Sequence, residues 1–187
     1  MWPSVLIICV YASFMIDFWF MPIPSEASTV ALIGDETKRP LWQKVGWGVV
    51  FIISLLIYLT PLGLAIAQLA FDFVSLQLTP LFLISFLVAM LGRVISLWGS
   101  TVLTWKQTDM VTHSIFSQSR NPIALGMHIT LFGLLLCYYD WWILWLGFIF
   151  YVVNLHTKIV IEEQHLIARF GTIYQEYMQK TPRYLWR

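Results

Sequence analysis

Charged side chains are scarce in this sequence, which has 11 Lys plus Arg and 10 Asp plus Glu among its 187 residues, or 11%. An ordinary soluble domain contains about 25% charged residues. Hydrophobic residues make up 59%, and a soluble fold of this size would leave much of that apolar surface in water. The composition therefore excludes a soluble globular protein, and its hydrophobicity excludes a disordered chain. We expect an integral membrane protein in contact with the lipid bilayer.

The sequence also lacks an excess of charge of one sign, a metal-binding cysteine pattern and a basic leader. A net charge of +1 provides no basic field for nucleic acid. Cys9 and Cys137 lie in apolar runs without metal-ligand spacing, so we expect packing residues and no metal. The start, Met1-Trp2-Pro3, lacks the basic segment of a signal peptide. We therefore expect the first apolar run to be a retained helix.

Five apolar runs have the length of about 20 residues that a membrane-spanning helix needs. They cover approximately residues 5–21, 45–70, 80–103, 122–139 and 141–160. The last two are separated only near Tyr139-Asp140, which predicts a tight helical hairpin. Beyond residue 160, apolar side chains recur at helical spacing, with Gly171 as a break. The predicted fold is an all-α integral membrane protein with five transmembrane helices and a cytoplasmic amphipathic C-terminal helical tail; residues 22–44 are a predicted linker.

The basic residues predict the orientation of these spans. Ten of the 11 Lys and Arg residues fall between spans one and two, between spans three and four, or at and after the end of span five. Cytoplasmic connections carry the excess of Lys and Arg. The N-terminus is therefore expected outside and the C-terminus in the cytoplasm.

Two charged residues fall deep inside the predicted spans. Asp17 and Arg93 each lie about 20 Å from the outer face, at the same depth. Charges at this depth usually face the bundle interior and pair. A proton relay would need a longer series of such groups, so the pattern favours an ion pair that links two helices.

Polar residues gather at the cytoplasmic end of the predicted bundle. His128 lies in span four, and Asn154, His156 and Lys158 lie near the end of span five. Each by itself is typical of an interfacial side chain. Together they indicate a cofactor pocket in an otherwise apolar bundle.

Two short motifs stand out in the second half of the chain. They are HSIFSQSRNPIALG at 113–126 and EEQHLIARFGTIYQEYMQKTPR at 162–183. Together they resemble the isoprenylcysteine carboxyl methyltransferase and phospholipid methyltransferase superfamily, and the resemblance runs from about Leu91 to Arg183. The sequence departs from the family at Ser114-Ile115-Phe116, where a Gly-Pro-Tyr is usual, at Ser117 and at Ala124. We therefore expect a differently shaped loop over the cofactor, which affects the acceptor more than methyl transfer.

The resemblance implies a membrane-embedded enzyme that uses S-adenosylmethionine, with 1–103 as a three-helix transmembrane part and 104–187 as the cofactor-binding catalytic part of a single membrane domain, 1–187. It implies that Glu162 or Glu163 accepts from the cofactor ammonium and that Arg120 or Arg183 holds a carboxylate. Glu163 and Arg183 are the expected catalytic residues. The expected cofactor-binding residues are His113, Arg120, Asn121, Gly126, His128, Asn154, Glu162, Glu163 and Tyr174. The Thr-Pro-Arg ending resembles bacterial members, which implies a bacterial inner membrane.

Under this resemblance the acceptor is a lipid or a lipidated molecule, and the sequence does not decide whether its reacting group is a carboxylate or an amine. A carboxylate needs no general base, whereas a primary amine must first lose a proton, which one carboxylate of Glu162-Glu163 could take. Arg183 would instead hold an acidic acceptor. The alternatives are therefore an isoprenylcysteine carboxyl methyltransferase-like enzyme, a phospholipid amine N-methyltransferase, and a non-methylating membrane relative or scaffold.

Overall fold

The computed structural model describes residues 2–16, 41–71, 76–104 and 110–185 of the protein. Within these ranges the secondary structure is helical, without β-strands, so the predicted all-α class is confirmed. The described ranges contain six α-helices: α1 (Trp2–Ser13), α2 (Leu41–Phe71), α3 (Pro80–Thr104), α4 (Pro122–Leu136), α5 (Trp142–Phe170) and α6 (Thr172–Lys180). A 3-10 turn at Ser114–Ser117 lies between α3 and α4. Residues 137–141 join α4 to α5 in a short turn.

Three of these helices are long and apolar enough to cross a bilayer: Gly48–Phe71 within α2, Pro80–Leu103 within α3, and α5. Helices α1 and α4 are apolar but shorter. These lengths support a membrane protein, and five spans stay a prediction. Much of the predicted linker 22–44 lies outside the described residues, although α2 already begins at Leu41.

Helix α5 continues without a break past residue 160, the expected end of the fifth span, to Phe170, and the end of the span itself stays a prediction. The first half of the predicted tail is therefore part of a 29-residue helix. Gly171, at φ 57°, ends this helix. Glycine adopts this left-handed conformation without the steric cost of a Cβ atom, so the chain turns there into the separate helix α6.

Helices α3 and α4 approach each other backbone to backbone. Gly92 and Gly126 face each other across the interface, because a Cβ added at Gly92 would lie 2.6 Å from the carbonyl oxygen of Gly126. A Cβ at Gly133 would lie 2.4 Å from the amide nitrogen of Ala89. Small residues permit such close packing between membrane helices, where dispersion contacts drive association. The start of α4, which carries the motif at 120–122, is thereby held firmly against α3.

Arg93 connects α3 to the end of α1. Its side chain is 2% exposed, its Nε donates to Ser13 Oγ at 2.7 Å, and its Nη2 donates to the Ser13 carbonyl at 2.6 Å. The guanidinium carbon lies 4.2 Å from the ring centroid of Phe14. Its predicted partner, Asp17, lies outside the described residues. These contacts make Arg93 a link between the two helices.

Replacing Arg93 with Met is expected to loosen α1 from the bundle. The change removes both donors to Ser13, and hydrogen bonds to a charged group contribute about 1.5–3 kcal/mol. Unfolding of the purified protein by detergent titration should show a loss of that order. Ser13→Ala is the matched control, because it removes the hydroxyl acceptor and keeps the carbonyl, so its loss should be smaller. Equal stability of Arg93→Met and the unchanged protein would contradict this role.

Candidate active site

A buried carboxylate, Glu163, is the centre of the candidate site. It lies on α5 and is 3% exposed. Arg183 donates to Glu163 Oε2 twice, from Nε at 3.0 Å and from Nη2 at 2.6 Å. Glu163 Oε1 lies 3.4 Å from Arg120 Nη2 and 3.5 Å from Asn121 Nδ2. Charged hydrogen bonds between a guanidinium and a carboxylate are strong, so Glu163 connects α5 to two other parts of the chain.

The segment 181–184, called here the strap, runs back across the beginning of α4. Arg120 donates its backbone N–H to the Pro182 carbonyl at 2.9 Å. The carbonyl of Arg183 accepts from Ser119 Oγ at 3.2 Å and from Asn121 Nδ2 at 3.4 Å. Pro122 occupies the first turn of α4, where a missing N–H costs no helical hydrogen bond. The strap therefore holds in place residues 119–121, which lead into α4.

Helix α6 positions the strap. Tyr177 donates its hydroxyl to the Phe116 carbonyl at 2.6 Å, and Thr181 Oγ1 lies 3.5 Å from the Ser117 carbonyl. Tyr174 is also buried on α6. Burial, together with the negative charge of Glu163, raises the pKa of Tyr174 to about 12. The α6 tyrosines are therefore neutral and pack α6 against the loop that precedes α4.

Arg120 has hydrogen-bond donors that the described protein does not use. Its side chain is 8% exposed, and Nε and Nη1 find no acceptor among the described residues. Buried donors without an acceptor are costly and uncommon. The cluster also contains two guanidinium groups for one carboxylate. These donors and the extra positive charge suit an anionic ligand group, such as a carboxylate.

The structure brings some of the predicted site residues together and leaves others apart. Arg120, Asn121, Glu163 and Arg183 form one cluster, with Tyr174 beside it. Glu162 lies on the outer side of α5, where its half-exposed carboxylate is 3.6 Å from Lys158 Nζ. Two adjacent residues of a helix point about 100° apart, which separates the expected carboxylate pair.

Three further predicted residues lie away from the cluster. His113 is exposed just before the 3-10 turn. Asn154 donates to the Phe150 carbonyl of its own helix at 2.7 Å. Gly126 is buried against α3, where a Cβ would lie 2.5 Å from the Ser96 amide nitrogen. Helix packing accounts for Gly126, and cofactor binding by these three residues stays a prediction.

His128 lies deeper in the bundle, among aromatic rings. Its ring centroid is 5.7 Å from that of Tyr151 and 6.0 Å from that of Tyr184. Tyr184 also has its hydroxyl 3.1 Å from His156 Nδ1. The sequence pattern does not predict Tyr151, Tyr184 or Ser119 as site residues. The position of Tyr184 directly after the Thr-Pro-Arg ending is a signal that could have identified it.

Within the residues that the structure describes, no three His, Cys, Asp or Glu side chains are grouped so that they could hold a metal ion. The donor set of the cluster is guanidinium, amide and carboxylate. Two guanidinium groups against one carboxylate leave a net positive charge, which suits an anionic group of an organic ligand.

The comparisons with known proteins identify a family. The family model for phospholipid methyltransferases matches residues 74–173, more than half of the chain. The matched range contains Arg120, Asn121 and Glu163 and ends before Tyr174 and the strap. No curated protein and no solved structure matches the chain significantly. The match confirms the superfamily resemblance of the two motifs, and the chain belongs to the phospholipid methyltransferase family.

Proposed function

We propose that the protein is a membrane-embedded, S-adenosylmethionine-dependent methyltransferase that acts on a lipid or lipidated acceptor, as isoprenylcysteine carboxyl methyltransferases do. The observation that carries this proposal is the buried cluster of Arg120, Glu163 and Arg183, with its unused guanidinium donors, inside a chain of the phospholipid methyltransferase family. Residues 104–187 hold the cofactor and residues 1–103 complete a single membrane domain.

The residues of the cluster have separate roles toward the cofactor. S-adenosylmethionine supplies a methyl group on a sulfonium cation when it is bound. Arg120 Nε and Nη1 hold its carboxylate. Glu163 Oε1 accepts from its ammonium, because the contacts of this oxygen with Arg120 and Asn121, at 3.4 and 3.5 Å, are longer than those of Oε2 with Arg183. Arg183 is a positioning residue that holds the Glu163 carboxylate.

The proposed orientation places this cluster at the cytoplasmic face. The cluster lies toward the end of α5 and at the start of α4, beside Lys158, Arg169 and Lys180. The positive-inside rule assigns such a basic end to the cytoplasm, where the cofactor is available. Five spans with an outer N-terminus, in a bacterial inner membrane, are part of this proposal, and the acceptor reaches the site sideways from the bilayer.

Replacing Arg120 with Met is expected to lower the affinity for S-adenosylmethionine by about 10- to 100-fold. The change removes the carboxylate donors, and a charged hydrogen bond contributes about 1.5–3 kcal/mol. Calorimetry on the folded, detergent-solubilised variant measures this. Arg169→Met is the matched control, because Arg169 is exposed on α5 and contacts Phe170. If Arg120→Met binds the cofactor as tightly as Arg169→Met does, Arg120 does not hold the carboxylate.

A phospholipid amine N-methyltransferase is the second candidate function. It is favoured by polar atoms of His128 and Tyr151 that are buried among aromatic rings and find no partner among the described residues. Assays of purified protein with an amine lipid and with a lipidated carboxylate separate the two methyltransferases. Absence of S-adenosylmethionine binding would instead favour a non-methylating relative or scaffold.

A further inference from the structure

Polar atoms that find no partner among the described residues lie in the bundle away from the Arg120–Glu163–Arg183 cluster. They are the Nε2 of His128 on α4, the hydroxyl of Tyr151 on α5, and the Oγ of Ser54 on α2. Tyr151 is 4% exposed. A buried polar atom without a hydrogen bond costs about 1–3 kcal/mol, and native proteins contain few of them. Two of these atoms, on His128 and Tyr151, belong to neighbouring side chains from different helices.

These two side chains belong to a row of rings that leads to the cluster. The Tyr58 ring lies 5.6 Å from that of Tyr151, whose neighbour is His128 at 5.7 Å. His128 in turn lies 6.0 Å from Tyr184 in the strap. Tyr184 directly follows Arg183, which binds Glu163. The row therefore connects the bundle interior with the proposed cofactor site.

The depth of His128 and Tyr151 places them on the bilayer side of that site. His128 is seven residues after Asn121 on α4, or about 10 Å along the helix axis. Tyr151 precedes Glu163 on α5 by twelve residues, or about 18 Å. A lipid that enters from the bilayer would place its headgroup at this depth, with its acyl chains still among the helices. The cofactor would lie on the cytoplasmic side of the headgroup.

We infer that His128 and Tyr151 form the acceptor subsite, where Tyr151 hydrogen-bonds the head of a primary-amine lipid and His128 Nε2 accepts the proton that its nitrogen must lose. This inference rests on the proposed methyltransferase function and takes the amine lipid of the second candidate function as the acceptor. It assigns His128 to the acceptor rather than to the cofactor. It also assigns a role to Tyr151, which lies outside both sequence motifs.

These groups account for the proton and for the electron pairs in the methyl transfer. One proton passes from the acceptor ammonium to His128 Nε2, which leaves a lone pair on the nitrogen. With S-adenosylmethionine bound, this lone pair would form the nitrogen–carbon bond as the methyl carbon–sulfur bond breaks; the sulfur would keep that bonding pair, and the positive charge would pass to the nitrogen. The Glu163 carboxylate is already in contact with Arg120 and Arg183 in the cluster.

The surroundings of the subsite favour an amine over a carboxylate. The groups packed around His128 are the rings of Tyr151 and Tyr184, with Tyr58 behind Tyr151 and His156 behind Tyr184. Aromatic faces attract a cation. The guanidinium groups of Arg120 and Arg183 lie in the cluster, where the proposed function assigns them to the cofactor carboxylate and to Glu163.

The test uses the full chain in detergent micelles and two conservative variants, His128→Gln and Tyr151→Phe. Gln can still accept a hydrogen bond but cannot hold a proton, and Phe removes only the hydroxyl. Binding of a short-chain phosphatidylethanolamine is measured without cofactor, S-adenosylmethionine binding by calorimetry, and kcat with that lipid and with an S-farnesylated cysteine. His165→Gln on α5 is the matched control for the histidine change.

Tyr151→Phe is expected to weaken binding of the amine lipid about 2- to 10-fold, the value of one hydrogen bond. His128→Gln is expected to lower kcat with the amine lipid about 100- to 10,000-fold, the usual contribution of proton transfer. Both variants should bind S-adenosylmethionine as the unchanged protein does, and His165→Gln should retain kcat.

Several results would overturn the inference. It is wrong if the protein binds S-adenosylmethionine and methylates a lipid while His128→Gln keeps its kcat and Tyr151→Phe keeps its lipid affinity. It is also wrong if the S-farnesylated cysteine, and not the amine lipid, depends on Tyr151. If His128→Gln does not fold, unchanged lipid affinity in Tyr151→Phe still overturns the subsite. A chain that binds no S-adenosylmethionine overturns the proposed methyltransferase itself, which is a separate outcome.

Discussion

Replacing Glu163 with Gln is expected to weaken both the fold and cofactor binding, whereas Glu162→Gln should leave both nearly unchanged. Glu163 is 3% exposed and contacts Arg183 and Arg120, so the neutral amide leaves two guanidinium groups without a counter-charge. Removing one member of a buried ion pair costs about 3–5 kcal/mol. Arg183 is partly exposed, so we expect about 3 kcal/mol here. The half-exposed Glu162 loses only its surface contact with Lys158.

Cofactor affinity should separate the two variants in the same way. The loss of an anionic partner for the cofactor ammonium corresponds to about 10- to 100-fold in affinity for S-adenosylmethionine. Calorimetry on the folded fraction measures this, and detergent unfolding measures the stability. The two variants differ by one position and by the same chemical change, so each is the control for the other. Equal effects in Glu162→Gln and Glu163→Gln would refute the central role of Glu163.

Adding a methyl group at Gly126 is expected to separate α3 from α4. The Cβ of Gly126→Ala would lie 2.5 Å from the Ser96 amide nitrogen and 2.6 Å from the Gly92 carbonyl oxygen. Both are backbone atoms, which cannot rotate away as a side chain can. Overpacking in a close-packed interior costs about 1–3 kcal/mol or more. We expect the upper end of that range, because α4 must move as a whole.

Gly63→Ala is the matched control for this change. Gly63 lies in α2, and a Cβ there would meet nothing within 4 Å. Alanine in place of a helical glycine stabilises by about 0.5–1 kcal/mol. Detergent unfolding should therefore show opposite signs for the two glycine variants. A Gly126→Ala protein as stable as Gly63→Ala would mean that the helices are not packed backbone to backbone in the membrane.

The sequence by itself determined the class of this protein and its family. Low charge and long apolar runs favour a helical membrane protein, because a helix satisfies within itself the backbone polar groups that a bilayer leaves without partners. The motifs at 113–126 and 162–183 resemble the superfamily whose model matches residues 74–173. Glycine at 171 marked the end of a helix, since its missing Cβ permits the left-handed turn.

Only the tertiary structure decided which of the candidate side chains meet. The choice between Glu162 and Glu163 depends on the direction in which each points from α5 and on the strap returning Arg183 to that face. Gly126 packs against α3, and the sequence does not show which helix lies opposite it. Tyr151 lies in no motif, and it is proposed as a site residue only because its ring neighbours His128 and its buried hydroxyl finds no partner among the described residues. These outcomes depend on contacts between residues distant in the chain, whereas composition and periodicity report only local preferences.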